Sequence, residues 1–129
     1  MSRTAKKLAP VLFSEHEEQV FLFQWAEKAT GRYPELKLLH AIPNFARVSP
    51  RWGAWMKAEG KRAGVPDVHL PVPRGGYASL YIELKVGKNQ LSPSQEMWAE
   101  SLRAAKNYVV ACWGWEVARE AIESYLALS

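Results

Sequence analysis

The residues best suited to chemistry lie on one predicted strand and at the start of the strand before it. Glu83 and Lys85 stand two residues apart within the apolar segment 80–86, and Asp67 follows a proline sixteen residues before Glu83. Burying a carboxylate or an ammonium in a strand without a partner costs on the order of several kcal/mol. A divalent cation between Asp67 and Glu83 would offset that cost, because Mg²⁺ and Mn²⁺ prefer hard carboxylate oxygens.

Alternation along the strand separates these polar groups from a predicted core. Successive side chains of a strand point to opposite faces, so Tyr81, Glu83 and Lys85 share one face. The other face is aliphatic and carries Leu80, Ile82, Leu84 and Val86. A Gly-Gly turn lets the strand that Asp67 opens, residues 67–72, pair with it and bring Asp67 level with Glu83 or Lys85. The alternative is a solvated strand face that carries an ordinary Glu–Lys pair.

Alternating helices and strands must position these groups. Ser14 and Glu17 have the spacing of a capping box, and Ser92-Pro93 marks a second helix start. The predicted helices cover residues 15–29, 51–63 and 116–128 and a segment that begins at 93, and the predicted strands cover 36–42, 67–72, 77–86 and 108–113. The order αβαββαβα predicts an α/β fold, a mixed β-sheet flanked by helices.

Length and composition indicate one domain over residues 13–129, after a loose lead-in over residues 1–12. No apolar run approaches the roughly 18 residues of a membrane span, and no signal peptide is expected. The lone Cys112 excludes an internal disulfide, is predicted to be core, and favours a reducing, cytoplasmic setting. No Gly-rich phosphate loop is present, so no nucleotide cofactor is expected.

Positive charge is concentrated ahead of and around Asp67. The net charge is +4. Between residues 47 and 74, only Glu59 and Asp67 oppose six cationic residues, which are Arg47, Arg51, Lys57, Lys61, Arg62 and Arg74. This distribution predicts a DNA-facing surface, on which Trp52 and Trp55 are candidates to stack on unpaired bases. The alternative is a solvated basic face, and most of the six tryptophans are expected in the core.

Short motifs follow one another along the chain, namely Ser14–Gln19, Ile42–Asn44, Lys61-Arg62, Gly64–Asp67, Tyr81–Lys85, Leu91–Gln95 and Tyr125-Leu126. In this order, the motifs resemble the virus-type replication-repair nuclease (VRR-NUC) domain of the PD-(D/E)xK nuclease superfamily. The resemblance covers roughly residues 13–127. It implies a restriction-endonuclease-like fold and a DNA endonuclease that depends on Mg²⁺ or Mn²⁺ and hydrolyses phosphodiester bonds.

The resemblance also implies individual roles at the strand pair. Asp67 and Glu83 would bind one or two metal ions, and the Leu84 carbonyl would add a ligand. Lys85 would orient the attacking water or neutralise the charge of the pentacovalent state. The metal would lower the pKa of bound water and stabilise charge on the scissile phosphate.

Two helix residues complete the implied site. The family pattern has a Glu four residues before a Gln, which Glu15 and Gln19 match on one helical face. Glu15 is therefore favoured as the helix-borne acid that contacts the metal directly or through water, and Glu18 is the alternative. Gln95 would support Lys85 or the water, unless it is a solvated helix residue.

Four residues are assigned to DNA contact, either because they belong to the resembling motifs or because they lie in the positive stretch. They are Lys61, Arg62, Arg51 and Asn44, although Asn44 could instead cap a loop. Small stand-alone domains of this family resemble phage or bacterial junction resolvases that act as homodimers, so a four-way (Holliday) junction is the expected substrate. The alternatives are a flap or less selective nuclease of the same superfamily, and a non-catalytic DNA-binding module.

Overall fold

A computed structural model describes residues 12–43 and 49–129. Its elements in chain order are α1 (Glu15–Lys28), a 3-10 turn (Pro34–Leu38), β1 (His40–Ala41), α2 (Pro50–Ala58), β2 (Val68–Leu70), β3 (Leu80–Lys85), α3 (Pro93–Ala104), β4 (Tyr108–Trp113) and α4 (Trp115–Leu126). This order confirms the predicted αβαββαβα arrangement and its mixed sheet. Over the described ranges, no helix combines the length and apolar character that crossing a membrane requires.

The sheet has the strand order β1-β2-β3-β4. The first three strands pair antiparallel, and β4 runs parallel to β3 after the crossover through α3. The chain turns from β2 towards β3 at Gly75-Gly76, where φ is +57° and +86°. Positive φ at both central residues suits a two-residue hairpin turn, and Arg74 and Tyr77 bond to each other across it.

The aliphatic face of β3 forms the centre of the core, as predicted. Leu80, Ile82 and Leu84 are at most 1% exposed and belong to one cluster with residues of α1 and α4. Cys112 of β4 is part of the same cluster. The two helices therefore cover one face of the sheet, and the side chains of alternate β3 residues point to the other face.

Two capping boxes fix where α1 and α3 begin. Ser14 Oγ accepts from the Glu17 amide at 3.1 Å, and Ser92 Oγ accepts from the Gln95 amide at 3.2 Å. In both boxes the third helical side chain bonds back to the amide of the cap. As a result, Gln95 occupies the third position of α3 and its side chain is held over the helix N-terminus.

Four predicted elements were wrong in extent. The strand expected over residues 36–42 is reduced to β1, because Pro34 starts a 3-10 turn that buries Leu36 instead. The helix expected over residues 51–63 begins at Pro50 and ends at Ala58, because Gly60 has the left-handed φ of +97° that terminates helices. The strands β2 and β3 are also shorter than the predicted ranges 67–72 and 77–86.

The prediction that most tryptophans are core was wrong as well. Trp52 and Trp55 are 66% and 62% exposed, and Trp113 is 38% exposed. The other three, Trp25, Trp98 and Trp115, are half-buried. The core is instead built from aliphatic side chains and Tyr125, whose hydroxyl donates to the Val72 carbonyl at 2.6 Å.

Candidate functional site

Asp67 and Glu83 face each other at one end of the β2–β3 pair, and we refer to them as the acidic pair. The register joins Val68 to Ile82, so its continuation sets Asp67 opposite Glu83 rather than Lys85. Asp67 Oδ2 accepts from the Leu84 amide at 2.8 Å, which fixes the orientation of that carboxylate. Glu83 is only 4% exposed, so the sheet holds one of the two carboxyls almost entirely out of water.

Burial changes the protonation of the acidic pair. It raises the pKa of Glu83 to about 9, and the neighbouring Asp67 carboxylate adds to this shift. Burial also raises the pKa of Asp67, although the Glu83 side chain and the Leu84 amide act in the opposite direction. Without a cation, therefore, Glu83 retains its proton at neutral pH, because burial disfavours its charged form and the adjacent Asp67 carboxylate repels a second negative charge. Such a pair is suited to receive positive charge and is typical of functional sites.

Gln95 links the acidic pair to Lys85. Lys85 Nζ donates to Gln95 Oε1 at 2.9 Å, and Gln95 Nε2 donates to Glu83 Oε2 at 3.1 Å. Gln95 Oε1 also accepts from the Ser92 amide at 2.8 Å. Because the amide of Ser92 and the ammonium of Lys85 can only donate, the amide oxygen must face them and the amide nitrogen must face Glu83. The start of α3 therefore holds both charged groups in place.

The strand register indicates that the Leu84 carbonyl has no main-chain donor opposite it on the β2 side. The Lys85 carbonyl accepts from the Gly114 amide on the β4 side, so the main-chain groups of Leu84 point towards β2. Continuing the β2–β3 register places Pro66 opposite Leu84, and proline has no N–H to donate. Asp67 takes the Leu84 amide, and the carbonyl has no matching main-chain donor across this pair. A buried carbonyl in this state favours a cation beside it.

The two candidate glutamates of α1 have different surroundings. Glu15 Oε2 accepts from Asn89 Nδ2 at 3.1 Å, and its charge contributes to the raised pKa of both members of the acidic pair. Glu18 Oε1 accepts from the Trp115 amide at 2.8 Å. That amide opens α4, whose N-cap Gly114 has no side chain to bond it. Glu18 therefore caps α4, and Glu15 is the one of the two that lies near the acidic pair.

The donor set fits a hard cation. Over residues 12–43 and 49–129, no group of three or more His, Cys, Asp or Glu side chains is placed to hold a metal ion by itself. Mg²⁺ does not require one, because proteins commonly bind it through one or two carboxylates and leave other positions to water and substrate phosphate. The acidic pair and the Leu84 carbonyl supply oxygen ligands of this kind.

A polar relay that the sequence did not reveal borders the site. The His69 ring stacks on Tyr81 at 4.2 Å between centroids, and its Nε2 lies 3.0 Å from Ser79 Oγ. The Ser79 hydroxyl donates to Asn107 Oδ1 at 2.6 Å, so it must accept from His69, whose proton is then on Nε2. Burial lowers the pKa of His69. Spacing alone put His69 on the same strand face as Asp67, but the relay joins three separate segments, so its hydrogen bonds could not be predicted from the sequence.

Among the residues that the structure describes, those assigned to DNA contact do not form a hydrogen-bonded cluster like the one around the acidic pair. Arg51 lies on α2 beside an open cleft. Lys61 Nζ pairs with Glu59 at 3.2 Å, and Arg62 donates to two main-chain carbonyls at 3.1 and 3.2 Å, one of which belongs to the end of α2. Asn44 lies outside the described residues. The structure thus brings together the predicted acidic and lysine groups, whereas the basic residues lie on and after α2.

Comparisons with known proteins identify a family and a solved structure that the chain resembles. The family model described as the VRR-NUC domain matches residues 9–115. A solved structure described as a VRR_NUC domain protein has 27% sequence identity and a TM-score of 0.78, and the match covers 92% of this chain and 93% of that one. No curated protein matches the chain.

Proposed function

Because the chain belongs to the VRR-NUC domain family, which implies a nuclease of the PD-(D/E)xK type, we propose that it is a Mg²⁺- or Mn²⁺-dependent endonuclease of branched DNA. The observation that carries this proposal is the acidic pair, with Glu83 buried and Lys85 linked to it by hydrogen bonds through Gln95. Glu83 and Lys85 are only 4% and 6% exposed, so they are not an ordinary solvated Glu–Lys pair. A solvated pair would not need the hydrogen bonds that Gln95 provides.

The chain's own residues have distinct tasks in this proposal. Asp67, Glu83 and the Leu84 carbonyl would hold the ion, and Glu15 would reach it directly or through water. When bound, Mg²⁺ or Mn²⁺ supplies a Lewis acid that activates water and stabilises charge on the scissile phosphate. The acidic pair is suited to this ion because burial favours neutralisation of its charge.

Lys85 would act on the substrate side. An ammonium has three donor positions, and Gln95 takes one of them. The others can donate to the attacking water or to a phosphate oxygen, where positive charge stabilises the transition state. Gln95 thereby works as a positioning residue, because it keeps Nζ of Lys85 aligned while its own amide nitrogen holds Glu83.

We further propose that the protein acts as a homodimer on four-way junctions. Each chain carries one acidic pair, and symmetric nicking of two opposed strands needs two sites at a fixed spacing. A two-fold dimer supplies this arrangement. Flap cleavage needs a single site, so a flap or less selective nuclease is the second candidate, and a non-catalytic DNA-binding module is the third.

Cleavage of matched DNAs tests these candidates. End-labelled four-way junction, flap and linear duplex of shared sequence are incubated with the protein and Mg²⁺, Mn²⁺ or EDTA, and light scattering gives the mass in solution. We expect paired nicks across the junction, no cleavage in EDTA and the mass of a dimer. Glu83→Gln protein purified in parallel controls for contaminating nucleases.

Other results would separate the alternatives. A monomer that cuts flaps and ignores four-way junctions would overturn the junction proposal and leave the nuclease assignment in place. Binding without metal-dependent cleavage of any of the three DNAs would overturn the nuclease proposal and favour a binding module.

A further inference from the structure

Helix α2 exposes apolar surface to an unusual degree. None of its nine residues is buried. Trp52 and Trp55 are 66% and 62% exposed, although an indole is among the largest apolar groups in a protein. Contiguous exposed apolar surface of this kind marks interaction sites. The exposed face of α2 is therefore a candidate binding surface rather than part of the core.

The surroundings of the two indoles are basic. Trp52 and Trp55 are three residues apart and share a helical face. They line an open cleft of about 380 Å³, together with Arg51 and Glu59. Over residues 50–64, Glu59 alone opposes four cationic residues, which are Arg51, Lys57, Lys61 and Arg62. Aromatic faces set among cations complement unpaired bases on a phosphate backbone better than they complement an apolar protein surface.

A close contact fixes the chain between α2 and the acidic pair. Gly64 has a φ of +94°, and a Cβ at this position would lie 2.8 Å from the Ser94 carbonyl oxygen. Only glycine allows this conformation and this approach. Ser94 immediately precedes Gln95, so the chain that leaves α2 is held against the first turn of α3, which carries Gln95. The segment that bears the exposed indoles is therefore anchored, at its C-terminal end, to the helix turn that supports the acidic pair.

We propose that Trp52 and Trp55 form a stacking platform for unpaired nucleobases, which selects DNA with single-stranded character. This inference rests on the proposed nuclease of branched DNA and deepens it, because it names one feature that such a nuclease recognises, the unpaired bases at a branch or flap. Stacking is tolerant of base identity, since every base has a π-face. The platform would therefore select DNA shape, the presence of unpaired bases, rather than sequence.

Binding without metal tests the platform separately from cleavage. Fluorescence anisotropy in EDTA measures the affinity of the full chain for labelled oligo-dT and for a blunt duplex. Trp52→Leu and Trp55→Leu should each weaken oligo-dT binding by about tenfold, which is the scale of one lost base stack. Duplex affinity should change by less than about twofold on the same scale. The Trp→Phe variants keep an aromatic face and should retain most of the affinity.

Two controls complete the experiment. Met97→Ala removes a side chain of α3 that is 62% exposed and should leave both affinities unchanged. Reversal of Lys61 and Arg62 to Glu should weaken binding to both DNAs and reduce the salt dependence by up to about 0.9 in log–log slope per lost duplex contact.

Three outcomes would overturn the platform. One is that the Trp→Leu variants bind oligo-dT as tightly as the wild type. Another is equal loss on both DNAs together with dissociation of an oligomer, which would assign the face to contact between copies. The third is failure of Phe to substitute for Trp. None of these affects the proposed nuclease, whose failure would appear instead as absent cleavage by a chain that still binds oligo-dT through its indoles.

Discussion

Strand β3 and helix α2 invert the usual distribution of residues in opposite ways. In β3, Glu83 and Lys85 are charged and only 4% and 6% exposed. In α2, Trp52 and Trp55 are apolar and more than 60% exposed. Each inversion costs free energy of folding, the first through desolvation of charge and the second through hydration of apolar surface. Because neither arrangement stabilises the fold, both are typical of residues that are placed for function.

The two inversions differ in how the fold supports them. The buried charges are held by strand pairing, by the Gln95 amide and by the start of α3. The indoles of α2 depend on a helix that buries no residue and on the connection fixed at Gly64. Precise geometry suits bond cleavage, and a less constrained surface suits contact with a large ligand. Substitutions in β3 should therefore reduce rate, whereas substitutions in α2 should reduce affinity.

Loss of a carboxylate in the acidic pair should have the largest effect. Asp67→Asn or Glu83→Gln should lower the rate of metal-dependent cleavage by more than about two orders of magnitude, since each removes a negative ligand without a change of volume. DNA binding measured in EDTA should remain close to that of the wild type. Single-turnover cleavage of the preferred DNA makes the first measurement, and anisotropy makes the second.

The control is Glu100→Gln, which changes the same functional group at an exposed position of α3. It should leave the cleavage rate unchanged. Full cleavage by Asp67→Asn or Glu83→Gln would show that the buried pair is not the metal site and would remove the contrast between β3 and α2.

Lys85→Ala should have the next largest effect. It should reduce turnover by about 10²–10³-fold, the usual cost of losing one preorganised donor to a transition state. Gln95 Nε2 can still bond Glu83 in the variant, so metal affinity should remain. Calorimetric titration of Mn²⁺ separates the two effects. A loss of affinity as large as that in Asp67→Asn would mean that Lys85 supports the metal site rather than the substrate.

These two predictions concern residues whose placement the sequence could indicate. The two-residue period of a strand is local, so alternation over residues 80–86 was enough to separate Glu83 and Lys85 from Leu80, Ile82 and Leu84. Helix starts are local too, and the Ser92-Pro93 pattern placed α3 correctly. The family resemblance singled out Gln95, but the link that it makes between Lys85 and Glu83 needed the three-dimensional structure.

Other features depend on partners that are distant in sequence. The apolar residues 36–42 could suit a strand or a turn, and Pro34 together with burial of Leu36 decides for the 3-10 turn. Tryptophan predicts burial on average, yet Trp52 lies on a helix that packs little against the rest. The missing donor opposite Leu84 is visible only once the strand register is known. Patterns of neighbouring residues cannot predict these features, because each depends on contacts with residues distant in sequence.

Pro66→Ala tests that missing donor. Alanine restores an N–H opposite the Leu84 carbonyl, which can then bond within the sheet and compete with a cation. We expect Mn²⁺ affinity to fall by about tenfold, at the lower end of the effects of changes around a metal ligand. Val72→Ala controls for lost packing, because Val72 is also buried but lies beyond β2. It should lower the melting temperature without a change in Mn²⁺ affinity. Equal Mn²⁺ affinity in Pro66→Ala and the wild type would contradict a role for the free carbonyl.

The smallest expected effect is a pH trend in stability caused by the acidic pair. The pKa of Glu83 is about 9 in the folded chain, against an ordinary value of 4.5. Between these values the unfolded chain loses the Glu83 proton and the folded chain keeps it. The unfolded state therefore binds fewer protons, and the free energy of unfolding must fall as pH rises through this window.

Glu83→Gln removes the titrating group and keeps the shape of the side chain. In metal-free buffer, the variant should melt at a higher temperature than the wild type, and the difference should grow from pH 5 to pH 9. Thermal unfolding followed by circular dichroism in EDTA measures it, and Glu100→Gln should show no such growing difference. A difference between the wild type and Glu83→Gln that stayed constant over this range would mean that Glu83 is ionised when folded, because both states would then have lost the proton. The buried charge of β3 would then be balanced within the protein, and the contrast with the unpartnered indoles of α2 would be lost.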